Sequence, residues 1–230
     1  MKRASTVLVF SKIALWVAAA ASLAGFAQAA PAPATAGSQA VASAQAQAPD
    51  PQADPQIQAL WPQVTQSKYI IQGASDSTKK ATVYAFFDPN CIFCHLSWKL
   101  SRHYYEEGLQ VRWIPVAFLT TDSAPKAAWV LLSSDPSEAL AEGEGGWKGM
   151  QDGGGAFKEG PVTADIQKML DQNKKLFTDL GLTGTPGFVY KGPLGIVRTA
   201  SGISSKHMFA NMTGLPYVAV SDPDLEDIPE

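Results

Sequence analysis

Residues 81–95, ATVYAFFDPNCIFCH, decide which fold we expect. The first seven residues are mostly β-branched or aromatic, which is typical of a strand buried on both faces of a sheet. An Asp-Pro turn ends that strand, and Cys91 follows after one more residue. The apolar spacing from 92 to 107 predicts a helix that stops at Gly108. Residues 109–119 then predict a second buried strand, so this part of the chain is expected to form a βαβ unit.

Cys91 and Cys94 are the only cysteines in the sequence. A disulfide that closes so short a loop adds little stability, so redox chemistry explains the pair better. Unpaired N–H groups and the positive dipole end at a helix N-terminus favour a thiolate. We therefore expect Cys91 to be the exposed nucleophile and Cys94 the resolving thiol. Asp88 and His95 could tune both thiols, although an Asp-Pro turn start explains Asp88 equally well.

His95 also completes the C-x-x-C-H pattern that attaches c-type haem. The second axial ligand would then be His207, Met208 or Met212. A zinc site would need histidines beside the two thiolates, but we expect His95 and His103 to be helix-surface residues. Neither alternative accounts for a buried strand that runs directly into the cysteines. The sequence therefore predicts a redox pair with no cofactor and no metal.

A second informative segment is GTPG, residues 184–187, which precedes another predicted strand. Together with the cysteines it resembles the thioredoxin fold, in which an X–Pro bond is held cis beside the redox pair. We expect a cis Thr185–Pro186 bond in contact with the cysteines. The backbone of Thr185 could then pair with a substrate strand, and Ile92 and Phe93 would complete the substrate-binding surface.

The chain from about residue 60 to residue 215 resembles the DsbG/DsbC-type periplasmic thiol:disulfide interchange proteins. The resemblance rests on Leu60-Trp61, Gln66-Ser67, residues 83–91, Asp179-Leu180-Gly181 and Thr185-Pro186. It implies an α/β thioredoxin fold with a helical insertion, which fits the helical pattern of residues 123–180. It also implies disulfide exchange, reduction or isomerisation on exported proteins with oxidised or mispaired cysteines. The implied redox partner is a membrane thiol–disulfide reductase or oxidase. The alternative within the same fold is a thioredoxin-fold chaperone, in which an apolar peptide groove would matter more than the cysteines.

Three features differ from the pattern of that family or of thioredoxins. Family members carry an N-terminal dimerisation domain, whereas residues 30–55 here form an Ala/Pro/Gln-rich tether, so we expect a monomer. The family motif has Pro or Gly and then Tyr between the cysteines, whereas Ile92 and Phe93 here would give an apolar rim. Ala85 occupies a strand position where many thioredoxins keep a buried acid. Cys94 must therefore lose its proton to water or to another group.

Residues 1–29 have the form of a secretory signal peptide, with a basic start, an apolar run and a small-x-small end. The alternative is an uncleaved anchor. The segment holds three of the 18 basic residues and none of the 21 acidic residues, so the remainder has a net charge of −6. An acidic chain is a poor ligand for nucleic acid. These features predict a periplasmic protein that does not bind nucleic acid.

The expected organisation has four parts. They are a signal peptide at 1–29, a flexible linker at 30–55, a thioredoxin-like catalytic domain at 56–220 and an acidic, frayed tail at 221–230. The insert within the catalytic domain is expected at about 123–180. Its predicted elements are short helices at 127–132 and 136–141, a glycine-rich break between 143 and 155, and a longer helix at 163–180.

Overall fold

The computed structural model describes residues 53–148 and 154–230. The expected signal peptide and most of the expected linker lie outside these residues. Within the two described ranges, every helix is too short or too polar to cross a bilayer.

Five strands, six α-helices and one 3-10 turn make up the regular structure of the described residues. In chain order they are α1 Pro55–Gln66, β1 Ile70–Gly73, β2 Ala81–Phe87, α2 Ile92–Arg102, β3 Leu109–Pro115, α3 Ser123–Leu132, α4 Pro136–Gly145, α5 Ala164–Asp179, β4 Gly187–Lys191, β5 Val197–Ser201, α6 Met208–Thr213 and the 3-10 turn Pro223–Leu225. Helices α3, α4 and α5 therefore separate the β2–α2–β3 unit from the β4–β5 hairpin.

The five strands form one sheet in the order β1-β3-β2-β4-β5. Strand β2 lies at its centre, parallel to β3 and antiparallel to β4, while the two outer pairs are antiparallel. The crossover helix α2 joins the two parallel strands, which confirms the predicted βαβ unit. Because β4 begins at Gly187 opposite Phe86, the chain that enters β4 lies near the carboxyl end of β2.

Both faces of the sheet are covered, and β2 contributes to both cores. Val83, Ala85 and Phe87 belong to the cluster that also contains the two cysteines. Tyr84 and Phe86 belong to the cluster on the other face, which is packed by α5 and α1. Successive strand side chains point to opposite faces, so a strand buried on both sides needs the continuous apolar run found in the sequence.

Two elements of this unit end earlier than the sequence predicted. Helix α2 stops at Arg102, and a series of turns follows up to residue 108. Those turns bury Tyr104 completely, and its hydroxyl donates to the carbonyl of Lys206. Strand β3 stops at Pro115 because the next segment turns away, and the N–H groups of Phe118 and Leu119 bond to a side chain instead of a neighbouring strand.

Helix α4 is longer than predicted, and this difference affects the site. It begins with Asp135 as its cap and continues through Gly143 and Gly145, where the sequence predicted a break. A Cβ atom on Gly143 would lie 2.3 Å from the ring of Phe157. Glycine is therefore needed for packing at this position, and it does not end the helix. The additional turn carries Glu144 into the protein interior.

The predicted fraying of the C-terminal tail is wrong. Leu225 is fully buried, and Ile228 is also buried. The ammonium group of Lys99, on α2, lies 2.8 Å from Asp222 and 2.5 Å from Asp224. The tail is held against α2 because its apolar side chains enter the same core cluster as the cysteines.

Candidate active site

Cys91 occupies the N-cap position of α2 in an extended backbone conformation, directly after the turn that follows β2. Its own N–H donates to the carbonyl of Asp88 at 2.9 Å, which fixes the turn. Both cysteines are free thiols. Cys91 is 6% exposed and Cys94 is fully buried. The prediction that Cys91 is exposed is therefore wrong, because both cysteines are buried, although Cys91 is the less enclosed of the two.

The Thr185–Pro186 peptide bond is cis. The thiol of Cys91 donates to the carbonyl oxygen of Thr185, with 3.1 Å between Sγ and O. These two observations confirm the predicted cis bond and its contact with the cysteine pair. The contact follows from the fold, because β4 pairs with β2 and its entry loop therefore meets the start of α2.

The environment separates the pKa values of the two thiols. The pKa of Cys91 is lowered from 9.0 to about 7, mainly by a hydrogen bond from the Cys94 thiol. Burial opposes this shift, and the Thr185 side chain and the backbone of Cys94 and Phe93 reinforce it. Burial raises the pKa of Cys94 well above 9.0, and the neighbouring Cys91 raises it further. Near neutral pH, Cys91 is therefore the available thiolate and Cys94 holds its proton.

The residues between the cysteines form part of the surface beside Cys91. Phe93 is 48% exposed and Ile92 is half-buried. Leu119, in the segment after β3, is also largely exposed. An apolar side chain that remains in solvent beside a reactive thiol is a candidate contact for a peptide substrate.

Asp88 is fully buried at the end of β2 and accepts four hydrogen bonds. One carboxylate oxygen accepts from the N–H of Asn90 at 3.0 Å and from the hydroxyl of Ser123 at 2.7 Å. The other accepts from the N–H groups of Phe118 and Leu119 at 2.9 and 3.0 Å. Asp88 therefore ties the cysteine turn to the segment after β3 and to α3.

His95 is buried, so the expectation of a helix-surface residue was wrong. Its ring stacks between Trp98 and Trp147, with centroid distances of 6.0 and 5.5 Å. Its Nδ1 atom lies 3.5 Å from Oε2 of Glu144. His103, which was given the same expectation, is half-buried. The sequence could not place His95 because Trp147 and Glu144 belong to a distant part of the chain.

Glu144 is the site residue that sequence reasoning missed. It is 2% exposed, and burial raises its pKa to about 7 against the opposing effect of His95. The facing atoms, His95 Nδ1 and Glu144 Oε2, have no hydrogen-bond partner of good geometry. One signal was available, because Asp135 followed by Glu138 is a helix-start pattern, but the glycines after it suggested a short helix.

The haem and zinc alternatives fit the packing poorly. A c-type haem needs both cysteine sulfurs bonded to it, but Cys94 is fully enclosed, and Met208 and Met212 are buried in the core. His207 stacks on Tyr217 with 3.8 Å between ring centroids. In the parts of the chain that the structure describes, no three His, Cys, Asp or Glu residues are grouped to hold a metal ion.

Two curated proteins with sequences similar to this chain have the same name. The chain is 30% identical over 162 residues to the thiol:disulfide interchange protein DsbG of Pseudomonas aeruginosa, a match that covers 70% of this chain and 60% of that protein. It is 29% identical over 153 residues to DsbG of Escherichia coli, with 65% and 58% covered. The chain thus spans about 60% of the length of the curated relatives it matches. No family model matches it.

Solved structures agree on the fold. The catalytic domain of Proteus mirabilis ScsC superposes with a TM-score of 0.51 at 23% identity, which covers 67% of this chain and 94% of that domain. A second ScsC structure, in a transitional conformation, has a TM-score of 0.52 at 22% identity, with 69% and 77% covered. These likenesses show a thioredoxin-like fold, which agrees with the central βαβ unit and with the cis-proline loop beside the C-x-x-C pair.

In sequence, the chain is similar to the two DsbG proteins over 162 and 153 residues. The α/β thioredoxin fold that the resemblance implied is therefore confirmed, and helices α3, α4 and α5 fall in the stretch where its helical insertion was expected.

Proposed function

We propose that this protein is a thiol–disulfide oxidoreductase in which Cys91 is the nucleophile and Cys94 the resolving thiol. The observation that carries the proposal is the N-cap position of Cys91, with its Sγ atom 3.1 Å from the Thr185 carbonyl and its pKa lowered to about 7. A thiolate at neutral pH is the species that attacks a disulfide.

The exchange proceeds in two displacement steps. The Cys91 thiolate attacks one sulfur of a substrate disulfide, which forms a mixed disulfide and releases the other substrate sulfur as a thiolate. Cys94 then loses its proton and attacks Cys91, which closes the Cys91–Cys94 disulfide and releases the second substrate thiolate. The substrate disulfide is reduced by two electrons and the cysteine pair is oxidised by two. The reverse sequence transfers a disulfide to the substrate.

The substrates we propose are exported proteins with oxidised or mispaired cysteines. The backbone of the Thr185–Pro186 loop lies next to the nucleophile and could pair with an extended peptide. Phe93 and Ile92 supply apolar contact beside it, which suits a segment of unfolded chain. A membrane thiol–disulfide reductase or oxidase would reset the pair after each turnover.

The proposed compartment is the periplasm. Support comes from the signal-peptide form of residues 1–29 and from the similarity to DsbG proteins. We also propose that the protein acts as a monomer, because residues 30–55 contain almost no large apolar side chain from which to build a dimer interface.

The function is tested by trapping substrates in the cells that make the protein. A Cys94→Ala variant cannot resolve its mixed disulfides, so it should accumulate disulfide-linked complexes with exported proteins that disappear on reduction. A Cys91→Ala variant is the matched control and should trap none. Equal trapping by both variants, or trapping by neither, would contradict the proposed roles of the two thiols.

A further inference from the structure

The Glu144–His95 pair is a buried ionisable cluster beside the redox pair, and the exchange steps above give it no role. Glu144 reaches the site from α4, whereas His95 immediately follows Cys94 on α2. Trp98 and Trp147 cover the imidazole on both faces. The two tryptophans limit the access of bulk water to the space between the carboxyl group and the imidazole.

A purely structural explanation of this pair is weak. A buried carboxylate that accepts several hydrogen bonds stabilises a fold, but the facing Oε2 and Nδ1 atoms approach to 3.5 Å without hydrogen-bond geometry. A buried charge without strong partners costs free energy. A group of this kind is suited to changing its protonation state, and its charge is felt by both thiols, since Glu144 and Cys94 interact electrostatically and so do Glu144 and Cys91.

We propose that Glu144, supported by His95, accepts the proton of Cys94 when Cys94 resolves a mixed disulfide. The inference rests on the proposed disulfide exchange and adds a proton acceptor to it. Before the step, Glu144 is a carboxylate and Cys94 is a thiol. During the step, the proton moves from Cys94 to the pair, the Cys94–Cys91 bond forms, and the bond from Cys91 to the substrate sulfur breaks. The substrate leaves as a thiolate, so charge and electrons balance.

The proton balance explains why an acceptor is useful at this position. Cys94 is fully enclosed and its pKa is raised well above 9.0, so it is rarely ionised near neutral pH. Glu144 has a pKa of about 7 and can accept a proton over the range in which Cys91 is a thiolate. The titratable groups that act on it are His95, Cys91 and Cys94, all at the start of α2, while Lys158 pairs with exposed Glu142 on the outer face of α4.

The test separates the two thiols in one kinetic trace. Reduced protein is mixed with 5,5′-dithiobis(2-nitrobenzoate) in a stopped-flow instrument across about pH 5 to 9. The first nitrothiobenzoate leaves when Cys91 attacks the reagent, and the second leaves when Cys94 attacks the mixed disulfide. Two phases of equal amplitude in the wild-type protein report that the proposed exchange operates. Release of only one equivalent of nitrothiobenzoate would count against that function itself, independently of Glu144.

Glu144→Gln removes the acceptor and keeps the shape of the side chain. We expect the second phase near pH 7 to slow by about tenfold or more, as for loss of a general base, and to lose its pH inflection. The first phase should not slow. Glu142→Gln, on the exposed face of the same helix, is the matched control and should leave both phases unchanged. Glu144→Asp should restore the inflection in the second phase.

Two further measurements, on the His95→Gln variant and by infrared spectroscopy, test the proposal even if Glu144→Gln fails to fold. His95 lowers the pKa of Glu144, so His95→Gln should move the inflection of the second phase to higher pH. A time-resolved infrared difference spectrum should gain a protonated-carboxyl band during the second phase, and Glu144→Gln should lack this band. If Glu144→Gln folds and its second phase keeps the wild-type rate and pH profile, or if no such band is present in the wild type, the proposed proton acceptor is wrong.

Discussion

Asp88 and Glu144 are both buried carboxyl groups close to the redox pair, but their surroundings differ. Asp88 accepts four hydrogen bonds, three of them from backbone N–H groups. Glu144 faces the His95 imidazole, at 3.5 Å and without hydrogen-bond geometry, and the Trp147 side chain also lowers its pKa. Donors stabilise the charged form of a carboxyl group, whereas burial without donors favours the neutral form. The same functional group therefore serves as a structural anchor at the end of β2 and as a proton-labile group on α4.

The largest expected effect is on folding. Asp88→Ala removes a fully buried acceptor of four hydrogen bonds and leaves the buried hydroxyl of Ser123 without it, so we expect a loss of about 3 kcal/mol or more in the free energy of unfolding. Urea denaturation measures it. Asp171→Ala, on the exposed face of α5, is the control and should change stability by about 0.5 kcal/mol or less. A comparably small loss for Asp88→Ala would mean that Asp88 is not a structural anchor.

At alkaline pH, Glu144→Gln should raise the free energy of unfolding relative to wild type, whereas Asp88→Ala lowers it. The pKa of Glu144 is raised from 4.5 to about 7, so the folded state binds this proton more tightly than the unfolded state. The wild-type protein therefore loses stability as pH rises from about 4.5 through about 7. The variant should gain about 3 kcal/mol relative to wild type over that interval.

This relative gain is obtained from urea denaturation of both reduced proteins at several pH values, which cancels the contributions of other groups. Glu142 is exposed, so the free energy of unfolding of Glu142→Gln should change with pH in the same way as that of the wild type. A constant difference between Glu144→Gln and wild type from acid to alkaline pH would mean that Glu144 is charged throughout, like a fully hydrogen-bonded carboxylate.

A third comparison asks which group stabilises the Cys91 thiolate. The main cause is the hydrogen bond from Cys94, and neither carboxyl group contributes a lowering effect. Alkylation with iodoacetamide as a function of pH should therefore give a midpoint near 7 for Cys91 in the wild type. Cys94→Ala should raise the midpoint towards 9, whereas Cys94→Ser keeps a hydroxyl donor and should shift it less. Equal midpoints in the two variants would show that the Cys94 hydrogen bond is not the cause.

The smallest expected effect concerns Thr185. Its side chain lowers the pKa of Cys91, so Thr185→Val should raise the alkylation midpoint by less than about one unit. Thr185→Ser retains the hydroxyl and is the control. If the serine variant shifts the midpoint as much as the valine variant, the hydroxyl group is not responsible.

The sequence predicted those parts of the site that local patterns encode. The apolar run of β2, the cysteine turn and the cis Thr185–Pro186 bond each carry their signal within a few residues. The position of Glu144 depends instead on packing between distant segments. Gly143 and Gly145 suggested a break, and only the contact of Gly143 with Phe157 shows why a glycine within α4 is compatible with the helix.

The burial of His95 and the docking of the tail were missed for the same reason. Trp147, which stacks on His95, follows Gly143 and Gly145. Those glycines had suggested that α4 ends before this part of the chain. The acidic residues of the tail suggested a solvated end, although Leu225 and Ile228 lie among them at helical spacing. Charge density predicted exposure, whereas two apolar side chains and the pairing of Lys99 hold the segment in place.

The proposed function requires that Cys91 and Cys94 act as one two-electron redox pair. A glutathione redox titration of the purified protein tests it most directly, with each equilibrium mixture quenched in acid and the cysteines located by mass spectrometry. We expect a single transition between the dithiol and an intramolecular Cys91–Cys94 disulfide, with glutathione found transiently on Cys91 and never stably on Cys94. A protein that forms no internal disulfide across the titration, or that carries glutathione mainly on Cys94, would contradict it.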